Sequence, residues 1–332
     1  MATESFPDSS STPGSQLPLP EGLPGKIFLN DEGLRSGWSL LIYAAFWLLI
    51  DFVAQVVMQQ FIGTKIDSLS PQYLFLEEIA SFASAYGAAL LMTRLERRPT
   101  SVYGLPMQHA FGKFWQGVLL GLGEVTVLMA LIAAFGGYSF GRLAMHGASL
   151  LGWGVFWAVV FVFVGLSEEF LFRGYVQYTL ARGIGFWPAA VLLSFLFGFV
   201  HRGNPGEGIV GEANVAVTGL VFAFALRRTG NLWLAVGWHA SFDFGETFLF
   251  SVPNSAVVYA QHLSTAALHG ATWLTGGTVG PEGSVFSFLT LGISSLLIHL
   301  FFPAKKETSA RALSGEVDSV DELGGKGQPH SF

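Results

Sequence analysis

The chain has 332 residues, 51% of them hydrophobic and only 12% charged, with a formal net charge of −6 and a mean hydropathy of +0.51. Soluble globular chains carry about 25% charged residues, so this composition excludes an ordinary water-soluble domain and describes a polytopic membrane protein. With no cysteine, disulfides, thiolate nucleophiles and Cys-ligated metals are excluded. No basic stripe offers a grip on a phosphate backbone, so nucleic acid is not an expected partner.

In chain order, residues 1–36 open with Ser, Pro, Gly and acids and show no basic n-region before an apolar core, so a cleaved signal peptide is not expected. This segment is predicted to be disordered and cytoplasmic, followed by a transmembrane domain over 37–303. A spanning helix needs about 20 mainly apolar residues. That rule predicts spans at 38–58, 72–93, 114–135, 150–181, 187–201, 213–226, 231–250 and 283–303, an all-α bundle of about eight crossings. The fifth and sixth are short, and the fourth is long enough to tilt or bend, with Gly165 the expected bend. The stretch 251–282 reads as a Gly/Thr/Ser-rich external loop whose apolar content fits a re-entrant segment. Residues 304–332 read as a disordered tail.

Lys and Arg should collect in alternate, cytoplasmic loops if the spans are counted correctly. Arg173 lies within a span; of the other sixteen, thirteen fall in one set of segments and three (Lys65, Arg142 and Arg202) in the other. Both termini are therefore predicted to be cytoplasmic, in a multi-pass protein of the cell membrane. No internal repeat is visible, which counts against a transporter built from duplicated halves.

Ionisable groups at bilayer depth cost several kcal/mol on insertion scales of about 2.5–3.5 kcal/mol each, and persist where they pair or work. The stretch VGLSEEFLFRGYVQ, residues 164–177, carries Glu168, Glu169 and Arg173. Glu169 and Arg173 are four apart and share a face. Glu168 is turned about 100° away and is expected to face a polar cavity as a general base. A structural ion-pair network is the competing reading. Glu77 and Glu78, with no matching arginine, read as an interfacial pair, and Asp51 and Glu124 as single acids paired between helices or placed near an end.

His201 closes FLFGFVH. The short link from Arg182 to Trp187 makes the fourth and fifth spans a hairpin, with Glu168 and His201 each 14 residues from it. At 1.5 Å per residue both sit ~21 Å from the turn, at one depth. In LWLAVGWHASFDF, His239 and Asp243 share one face, ~12 and ~18 Å along the seventh span from Asn231. Two hydrolytic schemes are open. Without metal, Glu168 and His201 activate water while His239 and a group one turn later stabilise the oxyanion. With metal, the two histidines and a carboxylate, namely His201, His239 and Asp243, hold a divalent ion such as zinc. No H-E-x-x-H motif occurs.

Glu-Glu-x-x-x-Arg at Glu168, Glu169 and Arg173, Phe-x-x-x-His at Phe197 and His201, and His-x-x-x-Asp at His239 and Asp243 fall in order on consecutive hydrophobic spans. The pattern resembles the CPBP family of intramembrane proteases, the type II CAAX prenyl proteases and Abi bacteriocin-processing proteins, over roughly residues 155–250. The resemblance implies an eight-helix membrane fold with an embedded chamber, peptidase action on a membrane-associated peptide or protein, water activation by Glu168 and His201, and oxyanion stabilisation by His239 and Asp243. It implies orienting roles for Glu169, Arg173 and Phe197. Members are labelled metalloproteases, and a metal-free glutamate mechanism is argued for the prenyl proteases, so the cofactor stays open. Many prenyl proteases have Asn where this chain has Asp243; an amide donates to an oxyanion, whereas a carboxylate must be protonated, orient His239 or hold a metal. A non-proteolytic membrane scaffold or assembly factor of the same fold is the second reading, and a proton-coupled transporter the third.

Overall fold

The computed structural model describes residues 29–30, 33–61, 70–204 and 206–303. The predicted disordered tail 304–332 and most of the predicted N-terminal segment lie outside the described residues. A short hairpin of β1 (Leu29–Asn30) and β2 (Gly33–Leu34) precedes the helices α1 (Ser36–Phe61), α2 (Pro71–Glu96) and α3 (Ala110–Ala134). Strand β3 (Tyr138–Ser139) follows, then α4 (Gly147–Arg173), α5 (Tyr175–Ile184), α6 (Phe186–His201), α7 (Ile209–Thr229) and α8 (Trp233–Phe244). A π turn at Gly245–Leu249, strand β4 (Ala267–Leu268) and the one-turn α9 (Thr272–Thr275) lead to α10 (Val285–Phe301).

Helix fills each of the eight predicted spans. Among the described residues five helices are long and apolar enough to cross a membrane, with Gly147–Ile184 taken as one, and α6 and α10 are shorter apolar helices. Leu48, Leu49 and Phe52 are 58–65% exposed, a surface suited to lipid and costly in water. Local signals set the ends. Ser70 caps α2 by accepting from Tyr73 N at 3.2 Å, with Pro71 in the first turn, where a missing N–H costs nothing. Gly230, at φ 64°, closes α7, a conformation that glycine adopts without a Cβ clash.

The long fourth span breaks at Gly174, not at the expected Gly165. A Cβ on Gly174 would lie 2.3 Å from Phe170 O, whereas Gly165 sits in unbroken helix with its Cα facing α8. Gly165 serves packing: a Cβ there would come within 2.9 Å of Val236 O.

Helix α8 is the axis of the bundle, packed between α3 and α4. Its approach to α3 is backbone on backbone. A Cβ on Gly117 would fall 2.0 Å from Leu234 O, one on Gly121 2.3 Å from Trp238 O, and one on Gly237 2.1 Å from Phe114 O. Small residues permit such contact, and between membrane helices close packing is a main source of association. The glycines thereby fix the helix that carries His239 and Asp243.

The segment 250–284 is a cover pinned over the helix ends. Strands β3 and β4 pair antiparallel, Tyr138 opposite Leu268. Trp157 Nε1 donates to Gln261 O at 3.0 Å, Tyr138 Oη to Phe250 O at 3.0 Å, and Ser264 N to Ser251 Oγ at 2.9 Å.

Candidate active site

The EExxxR helix delivers its groups in two directions. Glu169 and Arg173 are both fully buried, and Arg173 Nη1 donates to Glu169 Oε1 at 3.2 Å. The guanidinium lies over the Phe197 ring, 4.2 Å from its centroid, with Phe172 and Phe222 at 5.6 and 6.0 Å. Aromatic faces attract a cation that has lost its water. Gly219 makes room, since a Cβ there would meet Arg173 Nη2 at 2.3 Å.

Glu169 also receives His239. Its Oε1 is 3.0 Å from His239 Nδ1, and because an ionised carboxylate only accepts, this nitrogen carries the proton. Arg173, Glu169 and His239 thus form one chain that sets the imidazole plane. Its other face is turned to Nε2, which lies 3.5 Å from Asp243 Oδ2 and 3.8 Å from Glu168 Oε2. Those separations are long for direct hydrogen bonds and suit a bridging water.

His201 is prepared differently. Its Nδ1 is 2.8 Å from Phe197 O, one turn back on α6, with the two rings 4.7 Å apart. A carbonyl cannot donate, so Nδ1 carries the proton and Nε2 is left as the basic nitrogen. The Phe and His of the second motif are therefore joined by a backbone hydrogen bond as well as by ring contact.

Glu168, His201, His239 and Asp243 line one cavity of about 160 Å³, ample for water, which needs roughly 10–15 Å³ by the same measure. Phe197 lines it too, while Glu169 and Arg173 stand behind its wall. Five carboxylates face this space, Glu78, Glu124, Glu168, Asp243 and Glu282, and no Lys or Arg lines it.

Glu78, Glu282 and Asn254 were not among the sequence-predicted site residues. Glu78, read as an interfacial acid, lines the cavity from α2 and is hydrogen-bonded to Ser167, the neighbour of Glu168. Leu74 and Glu78, one turn apart on α2, both face the chamber; that shared face was the readable signal. Glu282 comes from the cover, its Oε1 accepting from Ser255 N at 2.7 Å and its backbone O from Asn214 Nδ2 at 2.8 Å. Burial pushes its carboxyl up to about 7, while the neighbouring His201 acts the other way. Glu124 is paired between helices, accepting from Trp238 Nε1 at 2.7 Å and Thr290 Oγ1 at 3.2 Å.

Among the described residues no three His, Asp or Glu side chains form a group that could hold a metal ion. His201, His239 and Asp243 share the cavity without converging on one point, so the donor set present does not fit a bound zinc.

The segment from 151 to 245 matches the family model described as type II CAAX prenyl endopeptidase, Rce1-like. These residues form an Rce1-like domain. It spans α4 to the end of α8 and contains all three motifs, in agreement with the resemblance read from them. Comparison with curated proteins and with solved structures gives no significant match. The match over this segment and the apolar helices together support a multi-pass membrane protein.

Proposed function

We propose that the protein is an intramembrane endopeptidase of CAAX type that hydrolyses a peptide bond of a membrane-associated polypeptide without a metal. The observation that carries this reading is the shared cavity: residues of three motifs on α4, α6 and α8 line one chamber with room for water beneath the cover. Glu168 and the free Nε2 of His201 take a proton from water as its oxygen attacks the carbonyl carbon. General acid–base help of this kind contributes about 10²–10⁴-fold. His239, held by Glu169 and protonated at both ring nitrogens between Glu169 and Asp243, offers its Nε2 proton to the developing oxyanion. Asp243, 3.5 Å from that nitrogen, orients the ring and does not act as the amide donor found in relatives with Asn. The proton gained from water then passes to the leaving amine as the C–N bond breaks.

The test is cleavage of a reconstituted membrane-anchored peptide by wild type and Glu168→Gln. The variant should lose about 10²–10⁴-fold in rate with its thermal unfolding unchanged. Equal rates would defeat the reading. Full activity after exhaustive chelation is the companion expectation, and loss restored by zinc would overturn the metal-free scheme.

A further inference from the structure

Resting on the peptidase reading, we infer that the chamber is entered from the non-cytoplasmic face of the membrane, so that its substrates are polypeptide segments exposed on that face. Three observations point the same way. The first is where the cavity lies along each helix. It is lined by Leu74 and Glu78 at the start of α2, by His201 at the last residue of α6, by Asn214 near the start of α7 and by Ser287 near the start of α10. All of these ends lead to the segments 62–69, 202–208 and 250–284. The cover itself adds Asn254, Val257, Tyr259 and Glu282 to the wall.

The second is charge. Among the described residues the segments on this side hold two basic ones, Arg142 and Arg202, and 251–282 holds none. The opposite side holds eight, among them Arg97, Arg98, Arg227 and Arg228. Basic residues in short loops are retained on the cytoplasmic side, so the chamber lies toward the other.

The third is what closes the basic side. Tyr103, Tyr175, Leu226 and Leu232 are fully buried in one apolar cluster there, with Met92 among them. Tyr43 and Tyr175 stack at 4.4 Å, and Tyr175 Oη donates to Glu96 at 2.9 Å. No residue of 97–109, 174–185 or 223–237 reaches the cavity. A peptide approaching from the cytoplasm would have to dissolve this core, whereas from the other face it meets only the cover.

The chain lacks cysteine, so single-cysteine variants report access without background. Ala267→Cys on the exposed surface of the cover, Val257→Cys on the cavity wall and Met107→Cys, at a position 83% exposed on the basic side, would each be treated with a membrane-impermeant maleimide in sealed vesicles of both orientations. Ala267→Cys and Val257→Cys should label at least tenfold faster when the non-cytoplasmic face is outward, and Met107→Cys when it is inward. Val257→Cys labelling only with the cytoplasmic face outward would overturn the inference, as would the reverse pattern at positions 267 and 107. Labelling needs no turnover. A protein that labels as expected yet cleaves no peptide in either vesicle would defeat the peptidase reading and uphold the entry route.

Discussion

The motif-bearing helices α4, α6 and α8 and the cover at 250–284 build the same chamber by different means. On the helices each functional side chain is fixed by a regular repeat. Glu169 meets Arg173 and His239 approaches Asp243 through a separation of four residues, and His201 bonds the carbonyl four residues earlier. On the cover nothing repeats. Glu282 is held by a backbone N–H from Ser255 and by Asn214 of α7, contacts that join residues 27 and 68 positions apart. The segment that matches the family model ends at 245, so the match covers the half written as motifs and leaves the covering half outside it.

Breaking the buried side of the helical half should have the largest effect. Arg173→Ala leaves Glu169 in a dry site with only His239 to meet it and frees the carboxylate that anchors that ring. Loss of one member of a buried pair costs about 3–5 kcal/mol, so the variant should unfold well below wild type in a detergent melt. Its activity should fall with it. Next is the seam that positions α8: Gly117→Val drives a side chain toward Leu234 O, 2.0 Å from the ideal Cβ. Overpacking of this kind costs about 1–3 kcal/mol, visible in the same melt, while Gly112→Ala, with open space around it, should be neutral.

The covering half should respond more gently. Trp157→Phe removes the indole donor to Gln261 O, at a cost of about 1 kcal/mol. Limited proteolysis should then cut within 250–284 sooner, with the helices intact. The smallest effect is a pH signature. Glu282 titrates at about 7 in the folded chain against an ordinary 4.5, so between those values the folded state holds more protons than the unfolded one. Its contribution to stability is full below about 4.5 and is lost as pH rises through about 7. Glu282→Gln should therefore melt progressively higher relative to wild type as pH rises from 5 to 8, and a constant difference would count against a proton on Glu282.

Much of this division was legible in the chain. Continuous apolar runs fixed the spans, and helical arithmetic put Glu168 and His201 at one depth, because depth and face follow from a constant rise and a constant angle. The same arithmetic paired Glu169 with Arg173, yet it could not show that Glu169 also receives His239, which depends on α8 sitting against α4. The bend was assigned to Gly165 since glycine permits either a break or a close approach. The structure uses Gly165 for approach and Gly174 for the break. Glu78 was assigned to an interface because it lacks an arginine one turn on; its partner is Ser167, 89 residues away. Glu282 and Asn254 sit in a loop without periodicity, and only the folded cover brings them to the wall.

The polar lining of the chamber also decides what stays out of it. Five carboxyl groups and two imidazoles face one recess within a bundle whose outer surface suits lipid. An acyl chain entering from the bilayer would strip those groups of hydrogen-bond partners, at roughly 1–3 kcal/mol for each one left unpaired, whereas water satisfies them. The lining thus guards the recess against lipid by chemistry.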